Sequence, residues 1–234
     1  MDREVLSRLL ADRAAARTVV LAKNLKSGAN KILYPFDPEE KSELAHAARE
    51  AALADKSTSV LDNLGSTWFL QVFNPPLRMI LVGAVHISQP LARMAAMTGY
   101  DVAVIDPRRA FATEARFPGI QVFTDWPDEA MAKLAPNRRT AVVALTHDPK
   151  IDDPALVFAL KSDAFYIGAL GSAKTHAKRR ERMLAAGFDD RTIGRIKGPV
   201  GLAIGARSPA EIAVAVLAEV VKTLHDAEVE KVHA

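Results

Sequence analysis

Apolar residues fall at helical spacing in some segments of the chain and alternate or run unbroken in others, and this pattern predicts its elements. Residues 2–16 place Val5, Leu9 and Leu10 on one side of a helix. Thr18–Ala22 and Lys31–Tyr34 then read as strands joined by the turn Lys26-Ser27-Gly28-Ala29. Asp37-Pro38-Glu39-Glu40 predicts a helix start, with Asp37 as cap, Pro38 at the first helical position and Glu40 completing a capping-box-like exchange. That helix is expected to run to Ala54. Strands at Ser57–Leu61 and Thr67–Phe73 follow, the second setting Trp68, Leu70 and Val72 on one side. Residues 1–73 therefore read as a small N-terminal α/β domain. Asn74-Pro75-Pro76 ends it, because a proline pair resists both helix and central strand.

From residue 74 to 234 the pattern is a regular alternation. Met79–Val82, Val102–Ile105, Gln121–Phe123, Thr140–Leu145 and Ala164–Ile167 are short, strongly apolar runs. Helical segments at Gln89–Thr98, Asp128–Leu134, Pro154–Leu160 and Lys174–Ala186 separate or follow them. Strands without a polar face, divided by helices, predict a parallel sheet covered on both sides. The final helix is signalled by Ser208-Pro209-Ala210-Glu211, a capping box with proline at its first position, and by Ile212, Val216, Val220 and Leu224 at helical spacing. The expected fold is α/β: a Rossmann-like, mostly parallel sheet preceded by the small N-terminal unit.

Composition narrows the partners. About half of the residues are apolar and a quarter charged, enough for a packed core. A net charge of +3 is too small to imply nucleic acid unless it is gathered on one surface. The chain has no cysteine, which excludes disulfides, thiolate metal sites, thiol nucleophiles and persulfide carriage on it. No apolar h-region follows Met1 and no run of ~18 apolar residues occurs, so neither a secretory signal nor a membrane span is expected, and a cytoplasmic setting fits.

The candidate chemistry sits where predicted strands end. Met79–Val82 leads into Gly83-Ala84-Val85-His86 and a helix, and Asp106 closes the next strand about twenty residues on. This is the layout of a dinucleotide fingerprint, in which helix N–H groups meet phosphate and the acid bonds a ribose. Val85, however, stands where the second glycine belongs, so Gly83 equally suits a βαβ unit that needs glycine only for its turn. Tyr166-Ile167-Gly168-Ala169-Leu170-Gly171-Ser172, followed by Lys174, Lys178, Arg179, Arg180 and Arg182, reads as an anion site or, for the arginines, as a solvated helix face. On the first reading, Gly168→Val or Gly171→Val abolishes cofactor retention in a protein that stays folded. Thr146-His147-Asp148 ends the fourth strand, so His147 and Asp148 are candidates for acid–base work or for ordering a loop. His86 has the same two readings. Arg108, beside Asp106, can grip phosphate or brace the acid. No metal-ligand spacing is present.

Taken in order, these stretches resemble the XdhC/CoxI family, the xanthine dehydrogenase accessory factors that help mature molybdenum hydroxylases. The matching residues are Pro76–Ala84 with His86, Val102–Arg108 with Arg116-Phe117-Pro118, Leu145–Asp148, Tyr166–Ser172 and Pro199–Ala206 before Ser208–Ala213. The resemblance covers about residues 69–220. It implies a protein, usually dimeric and cytoplasmic, that binds molybdenum cofactor as molybdopterin or its dinucleotide form, guards it and delivers it to an apo-molybdenum hydroxylase, with no turnover of its own. The implied cofactor-binding residues are Gly83, Ala84, His86, Asp106, Arg108, Thr146, His147, Gly168, Gly171 and Ser172. Two departures stand out: Val85 in the family's glycine-rich turn, and a short N-terminal region without the family's glycine/cysteine motif. An NAD(P)-binding oxidoreductase and a ligand-free scaffold for molybdoenzyme assembly are the alternatives.

Overall fold

A computed structural model describes residues 3–232, with side chains through Asp226. The chain forms two compact units, Met1–Pro75 and Pro76–Ala234.

In the first unit, α1 (Arg3–Ala14), β1 (Val19–Asn24), β2 (Asn30–Leu33), α2 (Ala45–Leu53), β3 (Thr58–Leu61) and β4 (Thr67–Phe73) follow one another. The strands make an antiparallel sheet in the order β2-β1-β4-β3. Successive residues of a strand face opposite sides, so Val20 and Ala22 join Leu70 under α2, while Val19 and Leu21 join Leu9 of α1. Val5 packs beside Leu9, but Leu10 is exposed, which narrows the expected apolar side of α1. Trp68, Leu70 and Val72 share one cluster, as their alternation predicts.

The expected helix from Asp37 is corrected: α2 begins at Ala45. Asp37 accepts the Glu39 N–H at 2.9 Å in a local turn. Glu40 instead accepts the N–H of Tyr34, at the end of β2, and that of Ser42, both at 3.1 Å. With its carboxylate committed to these two donors, the capping exchange does not form.

The second unit contains β5 (Arg78–Val82), α3 (Ser88–Met97), β6 (Asp101–Ile105), β7 (Gln121–Phe123), α4 (Pro127–Leu134), β8 (Thr140–Ala144), α5 (Pro149–Lys161), β9 (Tyr166–Ala169), α6 (Ala173–Ala185), α7 (Asp190–Ile193), β10 (Ile196–Lys197) and α8 (Pro209–Val232). Its six strands are parallel throughout, in the order β10-β9-β8-β5-β6-β7. Met79 and Leu81 face a layer containing Leu91 of α3 and Val216 and Val220 of α8. Ile80 and Val82 face Met131 of α4 and Leu156 of α5. Both faces of the sheet are thus covered, which explains strands without a polar side. The order grows outward from β5 in both directions, so the strand order reverses between β5 and β8. Ligands of open parallel sheets bind in the crevice at such a reversal, outside the strand C-termini.

α5 starts at Pro149 rather than Pro154, capped by Asp148, which accepts the Lys150 N–H at 3.0 Å. Pro154 lies inside the helix instead of opening it. The Ser208 capping box is present in both directions: Glu211 N–H donates to Ser208 Oγ at 3.2 Å and Ser208 N–H to Glu211 Oε2 at 2.9 Å. Among the described residues, no helix is long and apolar enough to cross a membrane.

Candidate functional site

β5 ends in Gly83, whose φ of +109° lies where side chains are rarely tolerated. A Cβ on Gly83 would fall 2.3 Å from Thr146 Cγ2. The turn therefore needs glycine because β8's exit presses against it, independently of any ligand. Beyond it the expected phosphate donors are partly spent. Ala84 N–H donates to Asp106 Oδ2 at 2.8 Å, and the buried Ser88 hydroxyl donates to Gly83 O. Val85 packs against the core layer under α3 and α8, and His86 is exposed.

Asp106 is completely buried. Its Oδ1 accepts from Arg108 N and Nε, both at 2.9 Å, and its Oδ2 from Arg108 Nη2 at 2.7 Å in addition to Ala84 N. Burial pushes the carboxyl up, but the Arg108 guanidinium and the two backbone donors outweigh it and hold the group below the usual carboxylate range. Four donors fill the carboxylate's acceptor positions, so the expected bond to a ribose has no free oxygen to use. Arg108 braces the acid and lies over the Phe111 ring at 4.8 Å.

The exit of β8 is organised by a residue that no sequence motif singled out. Asp152, in the first turn of α5, is 1% exposed. Its Oδ1 accepts from Thr146 Oγ1 at 2.7 Å and Thr146 N at 3.2 Å, and its Oδ2 from His147 N at 3.0 Å. These bonds hold His147 at φ +66°, a left-handed conformation that costs a non-glycine residue of the order of 1–3 kcal/mol. Burial raises the Asp152 carboxyl above the ordinary range despite those donors. The available signal was an acid in the first turn of a helix that follows a strand directly. Asp148 caps α5, and among the described hydrogen bonds none joins it to the His147 side chain.

The exit of β9 is held differently. Gly168 faces inward, and a Cβ there would meet Val200 Cγ2 at 2.6 Å and the Tyr166 ring at 2.8 Å. Gly168→Val is thus a packing variant, which corrects the expectation of a folded protein that merely loses its cofactor. Gly171 has φ +143°, and a Cβ added to it would lie 3.0 Å from the Thr175 side chain. Ser172 caps α6 by accepting the Thr175 N–H at 3.2 Å. The Tyr166 hydroxyl donates to Glu219 of α8, whose same oxygen accepts Gly201 N–H at 2.9 Å. Burial, then the neighbouring Glu219, pushes the Tyr166 phenol well above its ordinary range. Glu219 was not expected from sequence, yet it ties the Tyr166–Ser172 motif to the glycine segment after Pro199.

Between these exits lies a cavity of about 240 Å³ lined by His147, Pro149, Asp152, Lys174, Thr175, Lys178, Arg179 and Arg182. Arg182 is paired with Asp153 at 2.5 and 3.0 Å. Arg180 points elsewhere, to Asp190 at 2.6 Å. The structure therefore brings His147 together with Lys174, Lys178 and Arg179 around the cavity, with Thr146 behind it on Asp152, while Ala84, Asp106 and Arg108 are bonded among themselves. Among the described residues, no cluster of three or more His, Cys, Asp or Glu could hold a metal ion.

Six parallel strands reversing order at β5, with cationic and polar side chains at their C-terminal exits, define a Rossmann-type α/β domain. Residues 79–220 match the family described as the XdhC Rossmann domain, and the chain belongs to that family. It is 37% identical over 156 residues to a Bacillus subtilis protein named as a probable xanthine dehydrogenase subunit, covering 66% of this chain and 45% of that protein. It is 34% identical over 157 residues to "Molybdenum cofactor insertion chaperone PaoD" of Escherichia coli, covering 67% of this chain and 43% of that one. The chain spans less than half the length of either relative. A crystal structure of a xanthine dehydrogenase from Bacillus halodurans superposes with a TM-score of 0.67 over 98% of this chain and 69% of that one, at 24% identity, a likeness of fold.

Proposed function

We propose that this chain is a maturation factor that binds molybdenum cofactor at the C-terminal rim of its parallel sheet and delivers it to an apo-molybdenum hydroxylase. Family membership and a relative named as a molybdenum cofactor insertion chaperone support the reading. The observation that carries it is the distribution of charge along the rim. The β5–β6 exits, where a dinucleotide is read, have their acid and the first N–H after Gly83, that of Ala84, bonded to each other. The β8–β9 exits instead offer Lys174, Lys178 and Arg179 around a cavity.

These residues fit an anionic cofactor. Arg179 is 1% exposed and its Nε and Nη1 have no hydrogen-bond partner, so the site holds cationic donors not satisfied by the protein. When bound, the cofactor supplies the pterin-held molybdenum that the hydroxylase needs. Thr146, His147, Gly171 and Ser172 would position it, and the lysines and Arg179 would neutralise its phosphate. Gly83 and Gly168 serve by letting the strand exits pack closely enough to form the rim. The same reading has the protein working in the cytoplasm as a homodimer.

Fluorescence titration of the chain with molybdenum cofactor and, separately, with NADPH tests this. Saturable binding of the cofactor alone is expected. Binding of NADPH alone would replace the reading with an oxidoreductase, and binding of neither with a scaffold.

A further inference from the structure

Among the described residues Arg179 is the largest fully buried side chain, and its surroundings leave it incomplete. Nη2 donates to Leu170 O at 2.8 Å, at the end of β9, while Nε and Nη1 are buried without partners. Burial, more than anything nearby, disfavours the charge, with Asp152 opposing that effect. An arginine does not lose its proton in proteins, so the cation remains. Buried guanidinium donors left unpaired are costly, and a structure retains them where something else completes them.

The same cavity supplies what an oxyanion needs. α6 is a 13-residue helix whose N-terminus opens beside it, with the positive end of its dipole there. Lys174 and Lys178 come from its first turns at a spacing of four, so both reach one side. At about 240 Å³ the cavity is smaller than the ~300–1,000 Å³ of pockets that enclose a drug-sized ligand. It suits one end of a molecule, not the whole.

We propose that Arg179, Lys174 and Lys178 form an oxyanion subsite at the β9–α6 junction that takes a phosphate monoester or pyrophosphate. Assigning that anion to the pterin cofactor rests on the function proposed above; the subsite itself does not. Arg179 is the selective element, because its planar fork matches two oxygens of one tetrahedral group. The lysines add attraction that salt screens.

The test is calorimetric titration of the full chain with inorganic phosphate, pyrophosphate and chloride at matched ionic strength. One phosphate or pyrophosphate per chain is expected, and no response to chloride. Arg179→Met, similar in length and free of the buried charge, should fold and weaken pyrophosphate binding by at least about tenfold. Lys178→Gln, at a position facing the cavity, should weaken it by about two- to fivefold and keeps the test valid if Arg179→Met does not fold. Arg180→Gln, on the same helix but bonded to Asp190, should leave it unchanged. Absence of phosphate and pyrophosphate binding by the native chain, or an Arg180→Gln loss equal to that of Lys178→Gln, would overturn the subsite. Pyrophosphate binding without cofactor binding would uphold the subsite and defeat the proposed function.

Discussion

At Gly83 a hydrogen in place of a methyl group lets Thr146 approach, and that contact joins the exits of β5 and β8. Gly83→Ala should cost about 2–5 kcal/mol, combining left-handed backbone strain with overpacking. Thr146→Ser in the same chain removes the clashing Cγ2 and should return about 1 kcal/mol, which a double-mutant cycle in urea unfolding measures. Asp106 gives a pH signature. Its folded-state value lies below its unfolded one, so its stabilisation is complete above about pH 3.9 and is lost as pH falls through the folded value. Asp106→Asn should be less stable near neutrality and show a flatter acid limb. Asp152 has the opposite sign: its raised value makes its contribution largest below about pH 3.9 and lost as pH rises through the folded value. The glycines and Asp106 were legible in sequence as strand-end residues. The reasons for the glycines were not, because Thr146 Cγ2 and Val200 arrive through tertiary packing, whereas the Arg108 brace on Asp106 is local, two residues away, and was one of that arginine's two readings.

Among the elements, β9 and α8 are joined through one carboxylate. Tyr166→Phe removes the hydroxyl donor to Glu219 and leaves Gly201 N–H as its remaining described partner. A loss of about 1–3 kcal/mol is expected by urea unfolding, with coupling to Glu219→Gln in a cycle. Ser208→Ala, which deletes one half of the α8 capping box, should cost about 1 kcal/mol. That box and the apolar spacing of Val216 and Val220 are local signals, so α8 could be read directly. The start of α2 could not, since Glu40 is drawn back to Tyr34 by a contact with the end of β2. α7 and β10, four and two residues long, are too short to show a period. The basic run on α6 looked uniform in sequence. Burial separates it: Arg179 points inward, Arg182 pairs with Asp153, and Arg180 bonds Asp190 outside the cavity.

For the whole molecule, the alternation of apolar runs and helices after residue 78 was sufficient to specify a doubly covered parallel sheet, since strands buried on both faces leave no other period. The family match covers that sheet and not the antiparallel unit before it. Lys174 and Lys178 at the β8–β9 exits make salt dependence a molecular property: cofactor binding should weaken steadily between low and physiological salt, as partly exposed charges are screened. If cofactor passes through this chain to another protein, as proposed, the chain must carry it before the hydroxylase does. Native mass spectrometry can follow that passage directly, by loading the chain with molybdenum cofactor and adding an apo-molybdenum hydroxylase. The chain should first gain the mass of one cofactor and then lose it as the hydroxylase gains the same mass. A chain that associates with the apo-enzyme but never carries the cofactor mass would contradict delivery of the cofactor by this protein.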